Sequence, residues 1–371
     1  MKRVIVSVTN DLVTDRRVDK TCTTLVELGF EVLLVGRQKK DSILPEHRSY
    51  TMERMRLLFE KGPCFYVEYN IRLFFFLLFR KVNLLVSNDL DTLLPNYLVH
   101  ILKQIPIVYD SHEYYTQTPE LVNRKFVQWI WKRIEKSIFP RLKDVITVNE
   151  SIAALYHADY GNEIHVVRNI SPHRELKEKR SKSELGLPEN KHIILLQGAG
   201  INIQRGAEEA VEAMKYIDDA VLVIIGGGDV INQLKKESQH MGLNEKVLFV
   251  SKQPFDKLLN FTICADIGLT LDKDTNINYR YSLPNKIFDY IQAGVPILAS
   301  PLVEIRKIIE QYNIGCTIKN HDPKHIAERM EFMLHNKELA TTWKKNLEKA
   351  AAELNWENEK KILIEVFQKY V

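Results

Sequence analysis

The chain has few cysteines, and they show no pattern that would hold a metal ion or a disulfide framework. Its four cysteines, Cys22, Cys64, Cys264 and Cys316, are widely separated, with no CxxC pair and no histidine at metal-ligand spacing. So little cysteine in 371 residues is typical of a reducing compartment. Because an apolar strand pattern begins at Val4, no room remains for a signal peptide, and we expect a cytoplasmic protein.

Excess charge of one sign is also absent. The chain has 52 Lys and Arg against 48 Asp and Glu, a formal net charge of +4, so we expect no nucleic-acid partner. An apolar fraction of 45% and a charged fraction of 27% are typical of a soluble globular protein. The length predicts two domains.

Apolar β-branched runs alternate with helix-length spacers along the chain. Strands are predicted at 4–8, 31–36, 83–87, 106–110, 144–148, 164–168, 192–198, 220–228, 246–251, 265–271 and 295–300. Continuous apolar strands with helical connections indicate parallel sheets covered on both faces. The polar stretch 171–191 interrupts the pattern, so we expect an α/β fold with two doubly wound domains and a ligand cleft between them.

The segment 278–300, NYRYSLPNKIFDYIQAGVPILAS, carries the most informative candidate ligand contacts. It predicts a polar loop, a short helix that starts near Pro284 and stops at Gly294, and then a strand. The exposed N–H groups at the start of a helix favour a phosphate group. Lys286 adds a full positive charge, and Asp289 offers an acceptor for a ribose diol.

Two glycine-containing turns follow strands of the second half. In GAGINIQRG (198–206), Gly198 and Gly200 allow a ligand close to the backbone, and Arg205 can chelate phosphate oxygens. The alternative is a tight turn with a solvated arginine. GGGDV (226–230) suits either a nucleotide or a packed helix, and we favour the nucleotide, with Gly227 beside it.

Polar side chains also follow strands of the first half. His112 and Glu113 come after the strand 106–110, where chemistry is located in such sheets, and we favour a functional role over a structural hydrogen bond. Asn10, after the first strand, is a candidate for ligand contact. Asp89 and Asp91 form a DxD pair, for which helix capping or acceptor contact is favoured over metal binding.

The segment 124–143 combines basic and aromatic residues. It holds seven Lys or Arg against one Glu, with Trp129, Ile130, Ile134 and Ile138 predicted near one face. Such a helix suits an anionic membrane surface, and the alternative is a core-facing helix with solvated charges. The apolar run within 71–81 is too short to span a bilayer.

The order of these motifs resembles the retaining nucleotide-sugar glycosyltransferases of family 4, which have the GT-B architecture of two Rossmann-like domains. The likeness extends over nearly the whole chain and rests on DRRV (15–18), DSHEYYTQTPE (110–120), the 198–206 turn, VIIGGG (223–228) and LPNKIFDYIQAGVPILAS (283–300). It implies an N-terminal acceptor domain at 1–175, a donor domain at 176–354, and a terminal helix at about 355–371 that packs back on the first domain.

The resemblance also implies roles for single residues. Asp289 matches the acid that binds the donor ribose, Arg205 the basic residue that holds the diphosphate, and His112 the histidine beside the transferred sugar. Two positions depart from the pattern, because the second basic ligand falls at Ala199 and the first acid of the pair at Tyr281. Lys286 is the expected replacement for the missing charge, and contacts to the sugar are expected from Tyr281 or Asn285.

The reaction expected from this resemblance is hexosyl transfer from a UDP-, GDP- or ADP-sugar to a saccharide or lipid-linked hydroxyl. It would proceed with retention and without a metal or another cofactor. The basic segment 124–143 adds the hypothesis of a peripheral location on the inner face of the cell membrane. Two alternatives remain open, a nucleotide-sugar epimerase of the same architecture and a catalytically silent binding subunit. A dehydrogenase is disfavoured because TNDLVTDRR (9–17) has no glycine for a dinucleotide fingerprint.

Overall fold

The computed structural model describes residues 1–13, 15–172 and 179–371, which form two compact units. Unit 1 consists of Met1–Asn169 with Glu359–Val371, and unit 2 consists of Ile170–Asn358. The domain boundary predicted between residues 175 and 176 lies outside the described residues. Each unit is built on one parallel β-sheet with helical connections, so the predicted α/β class is confirmed.

Unit 1 contains a seven-stranded sheet in the order β3-β2-β1-β4-β5-β6-β7. Its strands are β1 (Arg3–Ser7), β2 (Glu31–Gln38), β3 (Thr51–Arg56), β4 (Leu84–Asn88), β5 (Ile107–Ser111), β6 (Asp144–Thr147) and β7 (His165–Val166). Its helices are α1 (Arg16–Glu27), α2 (Gly62–Leu78), α3 (Leu90–Lys103), α4 (Pro119–Val122), α5 (Lys125–Ile138) and α6 (Glu150–Tyr160), with 3-10 turns at Tyr115–Gln117 and Phe139–Arg141. The central strands β1, β4 and β5 are buried except at Arg3 and are mainly apolar on both faces, which is why they give nearly continuous apolar runs in the sequence.

Unit 2 contains a six-stranded sheet in the order β10-β9-β8-β11-β12-β13. Its strands are β8 (His192–Gly198), β9 (Ala220–Gly226), β10 (Val247–Val250), β11 (Ile267–Thr270), β12 (Ile297–Ala299) and β13 (Gly315–Thr317). Its first helices are α7 (Ala207–Ala213), α8 (Ile231–His240), α9 (Phe255–Ile263), α10 (Ile277–Arg280) and α11 (Lys286–Gln292), with 3-10 turns at Ser183–Leu185 and Met214–Tyr216. Three more follow, α12 (Val303–Tyr312), α13 (Pro323–His335) and α14 (Lys337–Glu353). Two buried apolar clusters pack around this sheet.

The last helix, α15 (Trp356–Gln368), supplies the C-terminal part of unit 1. Glu359 is buried there and accepts hydrogen bonds from the backbone N of Arg168 at 2.7 Å and from its Nε at 2.8 Å. Lys369 and Tyr370, just beyond the helix, donate to the buried carboxylate of Asp144. Charged contacts thus join the chain's end to the first unit.

The sequence did not predict two edge strands, β3 and β13. β3 has the sequence TMERMR, whose charged residues lie at the exposed edge of the first sheet, so it gives no continuous apolar signal. β13 has only three residues, all partly exposed, at the edge of the second sheet. Edge strands bury less apolar surface than central ones, and the expectation was incomplete at both places.

In each sheet the chain reverses its direction of winding beside the first strand of the unit. The reversal lies between β1 and β4 in unit 1, and between β8 and β11 in unit 2. Ligands of open α/β sheets bind outside the carboxyl ends of the strands at such a point. The residues that follow these four strands are therefore the first place to look for a site in each unit.

Candidate functional site

In unit 1, four charged side chains meet at the carboxyl ends of β4 and β5, and we call Arg17, Asp89, Asp110 and His112 the His112 cluster. The backbone N of His112 donates to Asp89 Oδ1 at 2.9 Å. The imidazole lies between two carboxylates, with Nδ1 3.3 Å from Asp89 Oδ2 and Nε2 3.7 Å from Asp110 Oδ2. The ring is thus held mainly from the Asp89 side, because Nε2 has no hydrogen-bond partner among the residues that the structure describes.

A buried ion pair between Arg17 and Asp110 supports this arrangement. Arg17 and Asp110 have side chains that are 4% and 1% exposed, and Arg17 Nη2 lies 2.6 Å from Asp110 Oδ1. Arg17 Nε also donates to Asp110 Oδ2 at 3.1 Å, and its Nη1 donates to the carbonyl oxygen of Val167 at 2.6 Å. Such a two-point contact fixes the orientation of a carboxylate as well as balancing its charge.

The pKa values of the cluster follow from these contacts. Burial by itself would lower the pKa of His112, but Asp89 and Asp110 outweigh it and raise the pKa to about 9. Burial would raise the pKa of Asp110, but Arg17 and His112 hold it well below its usual range. His112 is therefore a cation at neutral pH, suited to donating a hydrogen bond rather than accepting a proton.

The two aspartates of the DxD pair have different partners. Asp89 occupies the N-cap position of α3, but its side chain accepts no hydrogen bond from that helix, so the predicted side-chain capping is wrong for Asp89. Its carboxylate instead accepts a hydrogen bond from the backbone N of His112 and lies beside the imidazole. Asp91 Oδ2 accepts from Thr9 Oγ1 at 2.6 Å, and burial together with the charge of Asp89 raises the pKa of Asp91 to about 7. Contact of either aspartate with the acceptor substrate stays a prediction.

Asn10 and Glu113 have local partners. The side chain of Asn10 donates to Asp15 Oδ2 at 2.8 Å and accepts from the backbone N of Leu12 at 2.9 Å, which organises the loop before α1. The side chain of Glu113 is exposed, while its carbonyl oxygen accepts hydrogen bonds from Ser111 and Tyr156. Ligand contact by either residue stays a prediction.

In unit 2, two basic side chains share one buried carboxylate, and we call Arg205, Asp272 and Lys286 the Arg205 cluster. Asp272 follows β11 and is fully buried. Arg205 Nη1 donates to Asp272 Oδ1 at 3.0 Å, and Lys286 Nζ lies 3.8 Å from Asp272 Oδ2. Arg205 also stacks over the ring of Tyr279, 4.9 Å from its centroid. The structure thus brings the two predicted phosphate ligands together.

Burial lowers the pKa of Lys286, and the charge of Arg205 adds to this effect, whereas Asp272 opposes it. Arg205 Nε is buried and has no hydrogen-bond partner among the residues that the structure describes. Arg205 itself remains 31% exposed, unlike Arg17. An anion with several acceptor oxygens suits such a cluster, since one carboxylate balances only one of two positive charges.

Helix α11 is held against the sheet by its tyrosine. Tyr290 packs over Gly268, where an added Cβ would lie 2.5 Å from the ring, and its hydroxyl donates to the carbonyl oxygens of Leu195 and Leu269. Because these are residues of β8 and β11, the helix is fixed beside the switch point. Lys286, in its first turn, is positioned by this contact.

Asp289, one turn further along α11, already has partners for both carboxylate oxygens. Ser171 Oγ donates to Oδ1 at 2.9 Å, and Gln197 Nε2 donates to Oδ2 at 3.1 Å. A carboxylate has about four lone-pair sites, so these bonds leave capacity for a diol. Tyr281 is partly exposed after α10, and Asn285 is exposed just before α11. The ligand roles of these residues stay predictions.

The glycines of the two turns divide into packed and open positions. Gly226 and Gly228 pack against the other turn, where an added Cβ would lie 1.8 Å from the carbonyl oxygen of Gly198 and 2.0 Å from that of Ile201. Gly227 has open space within 4 Å, and the nearest atoms at Gly198 and Gly200 are 3.6 Å away. Two glycines of the run therefore allow one turn to pack against the other, and Gly227 has room beside it. A nucleotide beside Gly227 stays a prediction.

Reasoning from the sequence missed Arg17 and Asp272. Arg17 is the second arginine of DRRV, and an arginine on the inward face of an amphipathic helix needs a buried acid as its partner. Asp272 comes two residues after an apolar strand beside the switch point, and Asp110 lies near the end of such a strand in unit 1. The position at the strand end was the available signal for both acids.

Comparison with known proteins identifies the family. Residues 14–170 match Glycosyltransferase Family 4, and residues 177–350 match Glycosyl transferases group 1. The chain is a family 4, group 1 glycosyltransferase. The resemblance seen in the sequence is thereby confirmed, and the enzyme class is that of a transferase of glycosyl groups.

Individual relatives of this glycosyltransferase are distant. The D-inositol 3-phosphate glycosyltransferase of Corynebacterium urealyticum is 20% identical over 215 residues, which cover 54% of this chain and 49% of the relative. Sucrose-phosphate synthase of Thermosynechococcus elongatus has a similar structure, with a TM-score of 0.78 at 17% identity, over 100% of this chain and 98% of its own. HepE of Anabaena, in complex with UDP, has a TM-score of 0.73 at 12% identity, over 100% of both chains. These likenesses confirm the GT-B fold.

The described part of the glycosyltransferase contains no helix with both the length and the apolar character needed to cross a bilayer. It also contains no group of three or more His, Cys, Asp or Glu side chains arranged to hold a metal ion.

Two neighbouring glycines allow a direct test of the open position. Gly227→Ala should leave thermal stability unchanged, since the added methyl meets no atom, but should reduce the stabilisation that UDP, GDP or ADP gives the folded protein. Gly228→Ala, the matched control, should lower stability by about 1–3 kcal/mol through overpacking against Ile201. Thermal unfolding with and without nucleotide measures both effects. If Gly227→Ala kept the full nucleotide-induced shift, Gly227 would not border the donor.

Proposed function

We propose that this glycosyltransferase moves a hexosyl group from a UDP-, GDP- or ADP-sugar to a saccharide or lipid-linked hydroxyl, with retention at the anomeric carbon. The observation that supports this most directly is the Arg205 cluster, where Arg205 and Lys286 share the carboxylate of Asp272 at the carboxyl end of β11. A diphosphate is the part of such a donor that needs two cations. HepE is crystallised with UDP, which makes a UDP-sugar the first donor to test.

We assign neutralisation of the leaving diphosphate to Arg205 and Lys286, so the reaction needs no divalent metal. A guanidinium binds two phosphate oxygens at once, and an ammonium adds a point charge. The carboxylates that a metal would require in unit 1 have other partners, because Asp89 binds His112 and Asp91 binds Thr9. Stabilising the charge that develops on a leaving group is commonly the largest catalytic term.

In the proposed reaction, the bond between the anomeric carbon and the diphosphate oxygen breaks while the acceptor oxygen bonds to the same face of that carbon. The acceptor's proton passes to an oxygen of the leaving diphosphate. His112 is a poor base because it is already protonated at neutral pH, so we assign it to hydrogen bonding with the sugar. Asp289 is assigned to the ribose, Asn285 and Tyr281 to the sugar, and Glu113 to positioning of the acceptor.

Replacement of Arg205 tests the donor assignment. Arg205→Ala should lower kcat/KM for the donor roughly 100-fold, and Arg205→Lys should recover part of it, since charge without the fork remains. Arg306→Ala is the matched control, because Arg306 is exposed on α12 and pairs only loosely with Glu310, at 4.0 Å. Transfer assays with UDP-, GDP- and ADP-sugars measure the effect. Full donor use by Arg205→Ala would remove Arg205 from the site.

The same assay separates the alternative functions. Product formed without any acceptor would indicate a nucleotide-sugar epimerase. Nucleotide binding without transfer or donor hydrolysis, over a broad panel of acceptors, would indicate a silent binding subunit, which the tyrosine at position 281 in place of an acid favours.

Removal of divalent metal gives an independent test of the charge assignment. Transfer should continue at the same rate in excess EDTA, because protein side chains supply the neutralising charge. Added Mn²⁺ or Mg²⁺ should change kcat by less than about twofold, well under one kcal/mol of barrier. If activity disappeared in EDTA and returned with Mn²⁺, the assignment of Asp89 and Asp91 to side-chain partners would be wrong.

We also propose that unit 1 binds the surface of an anionic membrane, at the inner face of the cell membrane, through 124–143. Helix α5 buries Trp131, Glu135 and Ile138, while Phe126 and Trp129 are 73% and 59% exposed. The predicted apolar face is therefore corrected, because Ile138 lies in the core and Trp129 points outward with Phe126. These two rings stack at 6.1 Å.

The helices that neighbour α5 also carry exposed apolar residues. Helix α3 contacts both α2 and α5. Ile71 and Phe75 of α2 are 53% and 50% exposed, and Leu102 of α3 is 62% exposed. Exposed aromatic and aliphatic groups beside exposed lysines suit the boundary between lipid headgroups and acyl chains.

Flotation with liposomes tests this surface. The parent protein should float with vesicles containing anionic lipid, and neutral replacement of Lys132, Arg133 and Lys136 should abolish flotation, because each basic residue near the surface contributes about 1 kcal/mol. Replacement of Lys344, Lys345 and Lys349 on α14, which are also exposed, is the matched control and should have no effect. No flotation of the parent protein would contradict the proposal.

A further inference from the structure

Asp89 has a backbone conformation that residues other than glycine rarely adopt. Its φ is 57° and its ψ is 166°, in a region that is nearly restricted to glycine. Gln104 and Asn313 also have positive φ, but with ψ of 37° and 65° they lie in the left-handed helical region at the ends of α3 and α12. Strain of this kind persists only where surrounding contacts enforce it.

The contacts of Asp89 tie two strand ends together. Its backbone N donates to the carbonyl oxygen of Asp110 at 2.9 Å, and its Oδ1 accepts from the backbone N of His112 at 2.9 Å. Its Oδ2 lies 3.3 Å from His112 Nδ1. One carboxylate therefore holds both the main chain and the ring of the same histidine, and it does so instead of capping α3.

We propose that Asp89 is a positioning residue for His112, held in a strained conformation so that its carboxylate fixes the orientation of the imidazole. This inference rests on the proposed function of His112 at the sugar. With glycine at position 89 the backbone would be relaxed but the carboxylate lost. Asp89 therefore combines a backbone that favours glycine with a side chain that the site needs.

The charged groups around His112 come from four segments. Asp89 lies between β4 and α3, Asp110 in β5, Arg17 in α1 and Asp91 in α3. Asp15 acts on Asp89 from further away. Asp89 and Asp110 both favour the protonated ring, and the charge of Asp89 is the largest single cause that raises the pKa of His112, whereas the charge of Arg17 opposes it. Loss of the charge of Asp89 should lower the pKa of His112.

Stability measurements separate strain from contact. Asp89→Gly should be more stable to thermal unfolding than Asp89→Ala, because both lose the carboxylate but only glycine relaxes the backbone. Asp89→Gly should nevertheless lose activity. If Asp89→Gly were no more stable than Asp89→Ala, the backbone would not be strained and the inference would fail.

Titration of the His112 ring by NMR tests the link to the imidazole without reference to catalysis. The variant Asp89→Asn keeps an oxygen that can accept a hydrogen bond from the backbone N of His112. In this variant the pKa of His112 should fall from about 9 towards the ordinary value of 6.5. The kcat of transfer should fall roughly 10-fold to 100-fold, as expected for a misplaced group. An unchanged His112 titration would overturn the inference.

A double-mutant cycle shows whether Asp89 acts through His112. In a His112→Asn background, Asp89→Asn should have no further effect on kcat, because the group it positions is gone. An undiminished effect there would mean that Asp89 acts by another route. If the protein transferred no sugar at all, the proposed function would fail, while the NMR titration and the Gly–Ala comparison would still decide the role of Asp89.

Discussion

The burial of a carboxylate at the end of a parallel strand is the constraint on which both candidate clusters depend. A buried acid needs a cation and further hydrogen bonds, because leaving it unpaired costs several kcal/mol. Asp110 lies near the end of β5 and is paired with Arg17, and Asp272 follows β11 and is paired with Arg205. Each acid therefore determines where an arginine must lie. The two pairs differ in exposure, since Arg17 is 4% exposed and Arg205 is 31% exposed. The first pair is structural, whereas the second leaves part of its guanidinium accessible to a ligand.

The sequence was informative where burial is complete and less so elsewhere. The central strands of both sheets were predictable because residues such as Val4, Ile5 and Val6 are apolar on both faces. The edge strands β3 and β13 were not, because β3 carries charged residues and β13 has only three residues. Arg205 and Lys286 were predictable as separate candidates from their motifs. Their meeting on Asp272 was not, because a single acid after a strand looks the same in sequence whether it is solvated or buried.

The glycine turns also show what a sequence pattern leaves open. Adjacent glycines at 226–228 satisfy different demands, since Gly226 has a φ of 140° and lies against Gly198, while Gly227 faces open space. A run of glycines signals that some close approach occurs, but not whether the approaching group is the chain itself or a ligand. Only the three-dimensional packing of one turn against the other separates these cases. Helix α5 gives a similar case. Its sequence shows basic and aromatic residues, but it does not show which side of the helix packs on the core, and so it does not show that Ile138 is buried and Trp129 exposed.

An acid beside the proposed site for an anionic substrate would by its charge repel that substrate, but burial of the neighbouring lysine reverses the conclusion. Desolvation lowers the pKa of Lys286, and an ammonium that lost its proton would attract no phosphate. Asp272 opposes this effect and helps the lysine to stay charged, at the cost of balancing one of the two positive charges. The His112 cluster follows the same physics, because burial alone would make the imidazole neutral and two carboxylates prevent it. In both units the acids thus preserve the cations, and the charge that remains is fixed in place before any substrate arrives. Because that charge is fixed in advance, less reorganisation is needed at the moment of reaction.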